Sequence, residues 1–150
     1  MRAVLIRVSR ASITVNGENG GSMDKGFVVL VGVKPEDTLQ EAAYLAKKCA
    51  EMRIFEDENG KMNLSLDEVG GKIIVVSNFT LCADCRHGKR PSFINAQRPV
   101  QANELYEYFI KKLKFYGVPE VGTGVFGGDM QVHIQNDGPV TLILDTDDWK

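Results

Sequence analysis

Gly26-Phe27-Val28-Val29-Leu30-Val31-Gly32-Val33 decides the architecture. The run holds no polar side chain, is bracketed by glycines and is rich in β-branched valine, which suits an extended, pleated chain. A half-exposed strand alternates apolar and polar residues. A continuous run predicts a strand buried on both faces. The next segment supplies a cover. Pro35-Glu36-Asp37-Thr38 has the character of a helix start, with acidic residues suited to a first turn. Leu39, Ala42, Ala43, Ala46, Cys49 and Ala50 follow at helical spacing. So many alanines on one face predict close packing on a sheet.

Upstream, residues 1–9 alternate loosely and predict a strand, and Asn16-Gly17-Glu18-Asn19-Gly20-Gly21 is a turn cluster. Downstream, Asp57-Glu58-Asn59-Gly60 is a hairpin turn between Met52–Phe55 and Met62–Leu66. Residues 72–80 predict the next strand, followed by a polar loop. Leu105, Tyr106, Phe109, Ile110 and Leu113 mark a second helix ending near Gly117. Met130–Gln135 and Val140–Leu144 are the last strands, and the polar tail from Asp145 is expected to be peripheral. The pattern is mixed α/β: one domain over residues 1–150, mainly antiparallel strands and two principal helices.

A chain of 150 residues is long enough to bury a core without staples. Its 43% apolar and 25% charged content is ordinary for a globular protein. No apolar run approaches the roughly 20 residues of a membrane helix. Arg7 interrupts the first apolar stretch, a poor fit to a signal peptide, so a cytoplasmic location without membrane association is expected. The net charge of −2 argues against a general nucleic-acid binder but leaves room for a local basic patch. Three cysteines, an odd number, fit a reducing compartment.

Three motifs invite other readings. Cys82-Ala83-Asp84-Cys85 has the spacing of a redox dithiol or half a zinc site. Zinc needs about four ligands and there is no second cysteine pair; the plainer reading is two thiols in a loop. Gly122-Thr123-Gly124-Val125-Phe126-Gly127 matches a dinucleotide fingerprint but lacks the strand before and helix after. It reads better as a loop whose backbone runs close to a ligand or another subunit, with Phe126 as an apolar wall. Asp57–Gly60 lacks the alternating oxygen ligands of a calcium loop.

Two short segments carry more. Ser77-Asn78-Phe79-Thr80-Leu81 closes the apolar run Lys72–Val76, and Asn136-Asp137-Gly138-Pro139-Val140-Thr141 lies between the last two strands. Together they resemble the signature segments of the D-aminoacyl-tRNA deacylases, Ser-Gln-Phe-Thr-Leu and Asn-x-Gly-Pro-Val-Thr. The second matches fully; the first departs at Asn78, where the family has Gln. The resemblance runs over essentially the whole chain. It implies a deacylase-type fold and a homodimer with composite sites. The implied activity is hydrolysis of the ester joining a D-amino acid, or a mischarged glycine, to tRNA.

Such an ester is already activated, so neither metal nor cofactor is expected. The chemistry needs fixed donors for a developing oxyanion, each worth about 3–4 kcal/mol. Backbone amides at a strand end lose their ladder partners and can serve; Phe79 and Thr80 are the candidates. Phe79 can also stack on the terminal adenine. Thr80 has two readings: a covalent nucleophile, which needs a base within reach, or a positioning donor, which is favoured because neither histidine adjoins it in sequence. Ser77 supports the strand end. Asn78 keeps the amide but shortens its reach by about 1.5 Å.

The resemblance makes Gly138-Pro139 a cis peptide that reaches into the partner subunit's site and rejects L side chains, with Arg7 anchoring its loop. A selectivity of 10⁴ takes about 5.5 kcal/mol, which a backbone clash can supply. Met130 is expected to line the pocket, or else to be plain core. Arg86, Lys89, Arg90 and Arg98 are the densest basic stretch and the candidate tRNA contacts. Two rivals stand beside this reading: a module that binds the aminoacyl end of tRNA without hydrolysing it, and a C-x-x-C metal or redox protein.

Overall fold

The computed structural model describes residues 1–150. Strand β1 (Arg2–Val15) is the spine of the sheet. β2 (Glu18–Met23) folds back antiparallel on its second half, through Asn16 and Gly17 at φ 51° and 82°. β3 (Gly26–Gly32) pairs antiparallel with its first half. Helix α1 (Leu39–Glu51) follows. Thr38 caps it: its hydroxyl accepts from the Gln40 amide at 3.2 Å, while the Glu41 carboxylate accepts from the Thr38 amide at 2.7 Å. A small hairpin of β4 (Phe55–Glu56) and β5 (Met62–Leu64) leads to β6 (Lys72–Ser77), parallel to β3. Helix α2 (Pro99–Phe115) then leads to β7 (Val121–Thr123), parallel to β6. β8 (Met130–Asp145) closes the chain against the other edge of β1.

The strand Gly26–Gly32 is buried along its length except for half-buried Leu30, as its composition predicts. Phe27, Val29 and Val31 join Leu5, Ile73 and Val75 and the apolar faces of both helices in the larger core. Val28 points the other way, with Val8, Ile13, Ile74 and Val76, into a smaller core that contains no helical residue. There the curling ends of β1 and β8 cover the sheet themselves.

Several boundaries differ from those predicted. The first strand runs to Val15 rather than residue 9, and only Asn16-Gly17 of the turn cluster turns; Glu18–Met23 pairs as a strand. The strand predicted over 72–80 stops at Ser77, because its neighbour β3 ends at Gly32 and offers no further ladder. Gly122 lies within β7. The two last strands are one, since β1 is long enough to pair with both halves. On α1, Leu39 is exposed and Leu45 takes the core position. The tail is not peripheral at its root: Asp145 and Thr146 are buried, and the Met1 amino group donates to Asp37 and Thr146, each at 2.6 Å.

Burial works against the charge of Asp145. Hydrogen bonds from Lys34 (2.6 Å), the Asp147 amide (3.0 Å) and Arg2 (2.9 Å) overcome it and hold its pKa at about 2. A carboxylate whose folded pKa is depressed stabilises the fold above its unfolded pKa, and that contribution is lost as pH falls toward the folded value. Asp145→Asn is therefore expected to cost about 2 kcal/mol at pH 7. Urea midpoints of the two proteins should draw together as pH falls from about 5 toward about 2; a gap undiminished at about pH 2 would contradict the assignment.

Candidate active site

The Asn78 amide makes the last rung of the β3–β6 pairing, donating to the Val31 carbonyl at 2.8 Å. The chain then turns over the end of β3 as a short 3-10 helix, Phe79–Cys82. Gly32 permits this crossing: a Cβ there would stand 3.0 Å from the Cys82 Sγ and 3.1 Å from the Leu81 Cβ. Phe79 and Thr80 carry the first amides of the turn, which no intrahelical carbonyl precedes and no side chain caps.

A second segment folds over the same place. The Gln97 amide donates to the Val33 carbonyl at 2.9 Å, and its side chain donates to Pro35 at 3.1 Å. This brings Phe93 edge-on to Phe79, with ring centroids 5.2 Å apart. The α2 side is held by Tyr106, whose hydroxyl donates to the Val75 carbonyl at 2.9 Å. Burial pushes that phenol up to about 12, so it stays a donor.

Between these pieces lies a cavity of about 590 Å³. Ser77, Asn78, Phe79, Phe93, Ala102, Phe126 and Met130 are among the residues that line it. Arg98 is its only ionisable lining residue; neither a histidine nor a carboxylate reaches it. Phe79 is 56% exposed, which leaves its ring face available to a ligand. Thr80 is on the turn but does not line the cavity. Its hydroxyl donates to the Asn78 side-chain carbonyl, so the residue that departs from the family pattern is the one that orients Thr80.

Gly138 and Pro139 are exposed and lie outside this cavity. The β1–β8 pairing passes from Ile6↔Thr141 to Val8↔Asn136, so Asp137–Val140 arches out of the ladder opposite Arg7. The Gly138-Pro139 peptide is cis. Arg7 is buried. It donates to the Ile54 carbonyl at 2.7 Å and the Asp137 carbonyl at 3.2 Å, and its Nε lies 3.4 Å from the Asp137 carboxylate. Gly138 sits at φ +118°, and a Cβ on it would come within 3.0 Å of the guanidinium.

The basic stretch divides. Arg98 reaches the cavity, and Lys89 and Arg90 are exposed and unpaired. Arg86 is clamped by Asp84 through hydrogen bonds of 2.9 and 2.7 Å, which hold the Asp84 carboxyl at about 2. Cys82 is buried and Cys85 exposed, both beside a separate polar cavity of about 430 Å³. No three His, Cys, Asp or Glu side chains gather as metal ligands anywhere in the chain, so the zinc reading of the C-x-x-C has no ligand set. Phe93, Gln97 and Ala102 belong to the site without any sequence signal that marked them. Ala102 is one small residue on a helix face, and Phe93 lies in an irregular loop.

The family model for D-Tyr-tRNA(Tyr) deacylase matches residues 4–145. The chain is 55% identical over 146 residues to a D-aminoacyl-tRNA deacylase of Desulfatibacillum aliphaticivorans, covering 97% of this chain and 99% of that one. It is 56% identical to one of Thermus aquaticus, covering 97% and 95%. Among solved structures it resembles the c-Myc DNA unwinding element binding protein, with a TM-score of 0.90, 42% identity and coverage of 97% and 98%. A probable eukaryotic D-amino acid tRNA deacylase shares the fold at a TM-score of 0.82 and 16% identity. The chain belongs to the D-Tyr-tRNA(Tyr) deacylase family.

Arg7 is the group on which the arch rests. Arg7→Lys keeps a charge but cannot serve Ile54 and Asp137 together. We expect it to cost about 1–3 kcal/mol in chemical denaturation, as one partly buried carbonyl loses its donor. An unchanged midpoint would show that the lysine or water replaces both bonds.

Proposed function

We propose that this chain hydrolyses the ester between a D-amino acid and the terminal ribose of tRNA, and tolerates glycine in place of the D-amino acid. Family membership over residues 4–145 supports the reaction class. The observation that carries the site is the turn Phe79–Cys82, whose first two amides, of Phe79 and Thr80, are uncapped and whose Phe79 lines the cavity. Those amides are placed to meet an oxyanion. With no imidazole or carboxylate in the lining, a Thr80 alkoxide has no base beside it. Thr80 therefore acts as a positioning residue: its hydroxyl proton is held by Asn78, and its oxygen is free to accept from an attacking water or ribose hydroxyl. The apolar faces of Phe79, Phe126 and Met130 take the adenine. Lys89, Arg90 and Arg98 stand free to bind phosphate, whereas Arg86 is committed to Asp84.

Chirality is assigned to Gly138-Pro139. The arch presents backbone rather than a movable side chain, and Arg7 holds it from beneath. Because it lies outside the cavity of its own chain, the assignment carries with it a homodimer in which each arch enters the partner's cavity. A D side chain points away from the arch, an L side chain meets it, and glycine has none to reject. The same reading places the protein in the cytoplasm, with its substrate.

The deciding assay compares D-Tyr-tRNA, L-Tyr-tRNA and Gly-tRNA in the presence of a chelator. We expect rapid loss of the D ester, slower loss of the glycyl ester and an L ester spared by a factor near 10⁴. Spontaneous rates throughout would leave an aminoacyl-end binding module instead. Thr80→Val should lower kcat by about 10- to 100-fold and trap no acyl-enzyme; a covalent adduct on wild-type Thr80 would restore the nucleophile reading. Light scattering should give twice the mass of the chain, and a monomer that retained chiral selectivity would refute the shared gate.

A further inference from the structure

Phe126 has two sides. One faces the candidate catalytic cavity. The other walls a second cavity of about 540 Å³ between α2 and the loop Thr123–Phe126. Its volume is within the range of small-ligand sites. Tyr106, Ile110, Val125 and Phe126 supply apolar surface, and Lys111 and Lys114 stand at its margin. Both lysines are exposed, and neither makes an ion pair within 4 Å. They are three residues apart, so they share one face of the helix. Glu107 is the one carboxylate in the lining; it lies a turn before Lys111 without pairing to it. Lys112 points elsewhere, over the rings of Phe115 and Tyr108 at 4.5 and 5.5 Å.

The loop between the two cavities is the glycine-rich segment whose sequence suggests close approach to a ligand. It separates a chamber with one cation, Arg98, from one with two, Lys111 and Lys114, beside a single carboxylate, Glu107. A single-stranded RNA end needs both: ring faces for successive bases and cations for the phosphates between them. With a net charge of −2 the chain offers no general attraction for a polyanion, so free cations beside the site matter more.

We propose that this second cavity takes the nucleotide preceding the terminal adenosine of the RNA substrate, with its base against Phe126 and Val125 and its phosphates beside Lys111 and Lys114. The inference rests on the deacylase reading above. Phe126 then works as a partition, contacting the terminal adenosine on one side and its neighbour on the other. Glu107 opposes the phosphates and sets an upper limit on the affinity of this subsite.

The test compares D-Tyr-tRNA with the D-tyrosyl ester of adenosine alone, which lacks every phosphate of the chain. Lys111→Ala/Lys114→Ala should lower kcat/KM on D-Tyr-tRNA by about tenfold or more at low salt, mainly through KM. The log–log salt dependence should become shallower by about 1–1.5, as for two single-strand phosphate contacts. The same variant should hydrolyse the adenosine ester at the wild-type rate, and Lys112→Ala should match wild type on both substrates. Wild-type kinetics on D-Tyr-tRNA for the double variant would overturn the subsite. So would an equal loss on both esters, which marks damage to the catalytic cavity or the fold. Failure of the wild-type protein on both esters would overturn the deacylase reading and this inference with it.

Discussion

Arg2–Val15 and Met130–Asp145 pair antiparallel along nearly their whole lengths, and the ladder loses register twice, between Ile6 and Val8 and between Val8 and Arg10. The first and larger break is where Arg7 lies. A backbone excursion from a buried ladder strands carbonyl groups, and a buried carbonyl without a donor costs about 1–3 kcal/mol. The guanidinium meets that demand twice, at Ile54 and at Asp137. A rigid, multi-donor cation can bridge two carbonyls that belong to different parts of the chain; an apolar residue or a single-point ammonium cannot. The arch Asp137–Val140 is thus exposed yet fixed from its buried side, the combination a steric gate requires.

The cavity depends on a different geometry. β3, β6 and β7 run parallel, and their carboxyl ends come together. Ligands of parallel sheets commonly sit at such ends, where successive strands part and their loops diverge. Here β3 delivers Val31 and Val33, β6 delivers Ser77 to Phe79, and the segment after β7 delivers Phe126. The Gly124 amide donates to the Val75 carbonyl at 3.1 Å, which fastens that last segment to the sheet before it crosses the cavity. The antiparallel half of the molecule carries the arch and the parallel half carries the chamber. Within one chain the two stay apart, and a second copy offers the means to join them.

Much of this was legible in the residues. The run Gly26–Val33 announced a doubly covered strand, and Pro35-Glu36-Asp37-Thr38 announced the start of α1. The two signature segments marked both the turn and the arch. What stayed hidden was set by pairing between distant parts of the chain. Nothing local in Lys72–Thr80 says that the strand must stop at Ser77; the stop is imposed by the end of β3. Nothing in Glu18–Met23, with two glycines and no alternation, says strand; the length of β1 recruits it. Asp145 and Thr146 looked like a solvated tail because their partners, Met1, Arg2 and Lys34, lie at the opposite end of the sequence. Only the resemblance pointed to Arg7 as an anchor, since its two carbonyl partners are 47 and 130 residues away and no local pattern marks them.

The distribution of charge bears on how such a site can work. Apart from Arg98, the cavity wall carries no group that titrates. A site without an imidazole or a carboxylate has no general base of its own and no proton to move near neutrality. What such a site can contribute to an ester already prone to hydrolysis is positional and electrostatic. Amides fixed by the turn stay donors at any physiological pH and need no reorganisation as charge develops. The free basic side chains lie at or beyond the rim, on the loop after the turn and on the last turns of α2. On the proposed reading, the long-range attraction of a polyanion lies outside the chamber assigned to ester cleavage, which leaves that chamber apolar toward the base.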